Sequence, residues 1–179
     1  MDNDMTQVTE ALGESFSHRR LPRWNELPDI DLYMDQVLAL IERYLGGDPG
    51  FDGKGLTASM VNNYVKLGVM PAPSRKKYNR EHLAHIIMIC VLKASLPISA
   101  ISRINRSETA SIPLETVYDS FCDLFERTGL AVAESFKQTR KDPNGPSLHP
   151  IYYAALRAQA EQALAMRLFD QAFSDEQKQ

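Results

Sequence analysis

Between Leu56 and Pro71 the chain fixes both ends of a helix and gives it two unlike faces, which leaves few folds open to the rest. Thr57 offers a side-chain acceptor to the free amides of a first turn, and Gly68 followed by Pro71 ends the run. At 100° per residue Met60, Val61, Tyr64 and Val65 gather on one side, as a face that another element must cover. Ser59, Asn62, Asn63 and Lys66 fall on the other side at i, i+3, i+4 and i+7. Hydroxyl, amide and ammonium groups in such a stripe can meet base edges and phosphates in a DNA major groove. An ordinary solvated helix face has the same composition, so the stripe alone decides nothing.

The following segment, Pro71 to Tyr78, is short, stiffened by Pro71 and Pro73, and basic at Arg75, Lys76 and Lys77. Two prolines exclude helix and suit a turn or an edge strand. Three consecutive cations cannot share one helical stripe, but they suit a small hairpin wing. A helix with a polar face, a basic wing and another helix is the order of a winged helix-turn-helix.

On these residues the sequence resembles the MerR-type family of bacterial regulators. Tyr64 and Gly68 keep that family's spacing, Val69-Met70-Pro71 stands for its apolar pair and proline, and Lys76-Lys77-Tyr78 for its wing. Leu83 and the segment Ile98-Ser99-Ala100-Ile101 continue the likeness. Asn62 stands where the family usually has arginine, as does Lys76, and a glycine-rich loop replaces the family's first helix. The chain also resembles an uncharacterised bacterial domain family with a MerR-like winged helix. That likeness rests on the segment from Leu27 to Val37 ahead of the Thr57, Asn63-Tyr64-Val65-Lys66 and Tyr78 pattern, and covers residues 24 to 106. The resemblance implies a DNA-binding head and brings with it neither a ligand nor a promoter.

Charge agrees with such a head. The whole chain carries a net charge of −3, yet residues 53 to 106 hold nine basic residues against Glu81 alone. The remainder holds 11 basic and 22 acidic residues. A phosphate-facing module on an acidic body has this asymmetry. Cys90 and Cys122 both fall in predicted helices, which argues for a reducing compartment rather than a disulfide framework. No signal peptide and no apolar run near the ~20 residues of a membrane span appear, so a cytoplasmic protein is expected.

Along the chain, residues 1–30 are polar and broken by Pro22 and Pro28, an arm suited to mobility with Trp24 packing as its hook. Leu32, Val37, Leu38, Ile41 and Leu45 predict a helix over 31–45 that supports the one over 57–67. The loop Gly46 to Gly55 has five glycines but lacks the Gly-Lys-Ser/Thr ending of a phosphate loop. An apolar helix is predicted over 80–95 and a short one from Ile98 to Asn105, followed by a polar break from Ser107 to Pro113. Helices over 114–136 and 150–173, joined by a turn at Lys141 to Pro146, form a hairpin. Its aromatic side suits core and dimer contacts, or else a ligand pocket.

Signs of chemistry are few. His82 and His85 are spaced for a shared metal, but Cys90 sits with the core stripe and no second ligand cluster follows. Glu115, Asp119 and Asp123 make an acidic stripe, which suits a solvated face or a cation. No nucleophile elbow, cofactor fingerprint or His-Glu-x-x-His helix is present, so no enzyme, cofactor or metal is expected.

The expected fold is therefore all-α with a small β-wing. It comprises an arm (1–30), a MerR-like winged helix-turn-helix head (31–106) and a helical dimerisation or effector region (107–179). The expected function is sequence-specific transcription regulation on double-stranded DNA by a homodimer. Asn62 and Asn63 would read bases, and Ser59, Lys66, Arg75, Lys76, Lys77 and Arg80 would hold the backbone, with Thr57 fixing the helix start. A winged-helix module that binds a protein, or a small-molecule sensor built on residues 114–173, are the competing readings.

Overall fold

The computed structural model describes residues 11–48, 50–51, 55–141 and 150–174. Helical residues 11–17 and a short 3-10 turn, Trp24–Glu26, lead into six helices. These are α1 (Met34–Leu45), α2 (Ala58–Lys66), α3 (Arg80–Leu92), α4 (Ile98–Thr109), α5 (Leu114–Lys141) and α6 (Pro150–Phe173).

The central element is α3. Asn79 caps it, its side-chain oxygen accepting from the His82 amide at 3.2 Å while His82 Nδ1 accepts from the Asn79 amide at 3.2 Å. The helix is apolar nearly all round, with Leu83, Ala84, Ile86, Ile87, Met88, Ile89 and Cys90 buried, as expected of a helix enclosed by others. It packs against α1, α4 and α5. Each fully buried Leu or Ile there contributes roughly 1.5–3 kcal/mol of transfer free energy. Val37, Ile41 and Leu45 of α1 join Val61 and Tyr64 of α2 in the same buried cluster.

The cluster also takes Leu21 and Leu27 from the leading segment and Tyr118, Cys122 and Phe125 from α5. Residues 19–27 are therefore packed rather than loose. The Tyr118 hydroxyl donates to the Pro22 carbonyl at 2.8 Å, and the Trp24 amide donates to Asp119 Oδ1 at 2.8 Å. Arg23 bridges to Asp123 at 2.7 Å and Glu126 at 2.8 Å. The Trp24 ring meets Tyr118 edge-on at 6.2 Å, which is the hook its sequence position suggested. Helical residues 11–17 cross α5 at Gly129, where a Cβ would lie 2.5 Å from the Phe16 carbonyl oxygen.

The β-wing is not there. Among the described residues every regular element is a helix, with no strand or sheet, so the helical class holds and the wing has to be withdrawn. Pro71 and Pro73 lack the amide donors that an incoming strand needs. Arg75 (φ 50°) and Lys76 (φ 64°) both adopt the left-handed conformation and close the chain at once between Ser74 and Lys77, joined by an isolated bridge. Tyr78 then pairs not with the incoming arm but with Leu32, through amide–carbonyl bonds of 2.8 and 2.9 Å.

Other departures are smaller. α4 continues through Ser107 to Thr109, into the expected polar break, and α5 runs on to Lys141. The turn expected at Lys141 to Pro146 lies almost entirely outside the described residues.

Candidate nucleic-acid interface

α2 is held at both ends by the residues that its sequence nominated. Thr57 Oγ1 accepts from the Met60 amide at 3.2 Å. At the other end Gly68 takes φ +67°, its amide donates to Val65 and the Val69 amide to Tyr64, both at 3.0 Å. That is the Schellman pattern of crossed bonds, and it needs a residue without a Cβ penalty at the left-handed position. Val69 and Met70 then turn inward, 5% and 4% exposed, and pin the helix end to the core.

With both ends fixed, the rotation of α2 is set by burial. Val61 (0% exposed) and Tyr64 (3%) anchor the inner face, and burial pushes the Tyr64 phenol up to about 12. Ser59, Asn62, Asn63 and Lys66 are all exposed on the outer face, and Thr57 is exposed at the N-terminus. Arg75 follows Lys66 by nine positions, at most about 32 Å of chain. One turn of duplex DNA is about 34 Å, so the stripe and the basic turn lie within reach of neighbouring contacts on one duplex.

The turn is tied to α3 on both sides. The His82 Nε2–H donates to the Ala72 carbonyl at 3.3 Å, since its Nδ1 is occupied by the Asn79 amide. The Tyr78 ring meets the His82 ring edge-on at 5.5 Å. His82 is thus a buried capping residue (6% exposed), and His85, three residues further on, is held below its ordinary pKa by burial and by His82, against Glu81.

The basic residues differ in their surroundings. Arg75 and Lys76 are exposed at the tip of the turn. Lys77 is partly buried, with its ammonium 5.5 Å from the Tyr33 ring. Arg80 is also partly buried, donating to the Leu27 carbonyl at 3.1 Å with its guanidinium 5.9 Å from the Trp24 ring. The two left-handed residues at the tip carried no sequence signal, because Arg and Lys are not the residues that favour that conformation. The acidic stripe is also accounted for in part, since Asp119 and Asp123 hold Trp24 and Arg23.

Among the described residues no helix is long and apolar enough to cross a membrane. Residues 22–121, more than half of the chain, match the model of a family described as a domain of unknown function, DUF1836. No curated protein and no solved structure matches the chain.

Proposed function

Because the chain belongs to the DUF1836 family, whose description assigns no function, we propose from its own residues that it is a DNA-binding transcription regulator that works as a homodimer. The head is MerR-like in its order of polar-faced helix, basic turn and apolar helix, with a tight turn in place of a β-wing. Asn62 and Asn63 read base edges, since a carboxamide can bond adenine at two points. Ser59, Lys66, Arg75, Lys76 and Lys77 hold phosphates. Thr57 keeps the first amides of α2 in place, where they also favour a phosphate. Arg80 assists mainly by bracing the turn through Leu27 and Trp24.

The observation that carries this reading is the exposed Ser59, Asn62, Asn63 and Lys66 stripe on a helix fixed at both ends, next to a strained turn that points two cations outward. Strain retained in the backbone at a surface turn is a common mark of a functional segment.

The test is fluorescence anisotropy of the full chain with duplex DNA across a range of salt. If Lys66, Arg75, Lys76 and Lys77 each neutralise one phosphate, log affinity falls against log salt with a slope of about −3.6 per head. Affinity that does not depend on salt, or no binding to DNA selected from a random pool, would turn the reading toward a protein-binding role for the same face.

A further inference from the structure

Two adjoining cavities open between the leading segment and the end of α1. One, of about 350 Å³, is lined by Arg20, Pro22, Glu26, Arg43 and Tyr44. The other, of about 290 Å³, shares Arg20 and Tyr44 and adds Arg19, Gly47 and Asp48 to its walls. Sharing two side chains, they form one cleft, and each part is near the lower end of the size that takes a small ligand.

The charge along this cleft does not balance. Arg19 bonds Asp48 at 2.8 Å, and Arg20 bonds both carboxylate oxygens of Glu26 at 2.6 and 2.7 Å. Arg43 is exposed and has no carboxylate partner among the described residues; its guanidinium lies 5.7 Å from the Tyr44 ring. A cation in the last turn of α1 suits the helix dipole. That accounts for Arg43 alone, not for three guanidinium groups lining one cleft. The Arg20–Glu26 pair is itself open to solvent, its side chains 59% and 42% exposed, so it is screened and gives way at little cost. Burial raises the Tyr44 phenol above its ordinary value, against Arg43, so the hydroxyl keeps its proton and can donate.

We infer that this cleft binds a small oxyanion, a carboxylate or a phosphate, between Arg43 and Arg20 with the Tyr44 hydroxyl as a further donor. Guanidinium groups meet either oxyanion with paired N–H donors, which a halide cannot use. The same excess of positive charge turns away cationic ligands. The arginines are exposed, so the site is weak, with half-saturation at about 1 mM. The competing sensor reading put its ligand on residues 114–173, whereas these walls come from residues 19–48. Gly47 and Asp48 begin the loop that leads to Thr57, so an anion held here ties the leading segment to the covalent path from α1 to the cap of α2. The site lies on other elements than the α2 stripe and stands without the DNA reading.

The experiment is an amide NMR titration of the full chain with sodium phosphate and, separately, sodium benzoate, each against sodium chloride at equal ionic strength. At least one oxyanion should give saturable shifts at Tyr44 and Gly47 that chloride does not give, and which of the two does so tells a phosphate site from a carboxylate site. Arg43→Gln should weaken this binding about fivefold, and Arg20→Gln with Arg43→Gln should abolish it. Arg106→Gln, an equal charge change at an exposed site on α4, should leave it unaffected. The arginines replaced are exposed, and the amide spectrum itself reports whether each variant is folded. Shifts that chloride matches, that rise without saturating, or that survive the double substitution overturn the site. No DNA is present, so that outcome leaves the α2 reading standing, and a saturable site in a chain that ignores DNA sinks that reading alone.

Discussion

Replacing Lys76 by glycine should make the fold more stable and the DNA complex weaker. Lys76 sits at φ 64° beside Arg75 at φ 50°, two adjacent residues in the left-handed region. That conformation costs a residue with a Cβ roughly 1–2 kcal/mol. Glycine removes the clash but gives back about 0.5–1 kcal/mol through the greater freedom of its unfolded chain. The net gain is then about 0.5–1 kcal/mol, which for a chain of this size raises the melting temperature by roughly 1–4 °C. The same change deletes one cation, so the salt slope of DNA binding should flatten by about 0.9. Lys76→Ala is the control. It keeps the strain, so its stability should stay within about 0.5 kcal/mol of the parent, while its binding falls as far as that of Lys76→Gly. The assays are calorimetric melting and anisotropy titration over salt. A Lys76→Gly chain that melts lower, or that binds DNA with an unchanged salt slope, refutes the claim that this turn holds strain in order to present charge.

Two further outcomes follow from the packing. His85 has its Nδ1 buried without a partner and is held below its ordinary value of 6.5 by burial and by His82, against Glu81. As pH falls below 6.5 the unfolded chain takes up this proton first, so stability should drop until the native imidazole is protonated too, and should be unaffected above that window. Urea unfolding from pH 7.5 downward should show a shallower acid loss in His85→Gln than in the parent; equal slopes would remove His85 from the explanation. Gly129→Ala places a Cβ 2.5 Å from the Phe16 carbonyl, so the segment over residues 11–19 has to shift. Hydrogen exchange of those amides should speed up while that of α3 stays slow, and unchanged protection of residues 11–19 would mean that the crossing can give way.

The parts of the fold legible in the sequence are those with local causes. Thr57 and Gly68 mark the ends of α2 because capping and the left-handed stop use residues within one turn of the helix end. The outer stripe of Ser59, Asn62, Asn63 and Lys66 follows from helical period and the burial of Val61 and Tyr64. The basic segment was legible in its charge but not in its path. Its prolines and its cations fitted an edge hairpin, and nothing in Arg75 or Lys76 announces two left-handed residues in a row. The leading segment was the hardest to place. Arg23 meets Glu126 across 103 residues and Tyr118 reaches Pro22 across 96, separations that no local pattern encodes. Only Trp24 hinted that the segment is anchored.

The most direct test of the central claim compares Asn62→Ala and Asn63→Ala with the parent on a selected DNA site and on random DNA. Both residues are exposed, so each variant should keep its stability within about 0.5 kcal/mol. Tyr64→Ala, at a site 3% exposed, is the contrast and should lose about 3 kcal/mol or more of stability. Loss of a two-point base contact should cost about 1–3 kcal/mol on the selected site and leave random DNA unaffected. If both asparagine variants keep the parent's full preference for the selected site, α2 does not read DNA and the account fails at its centre.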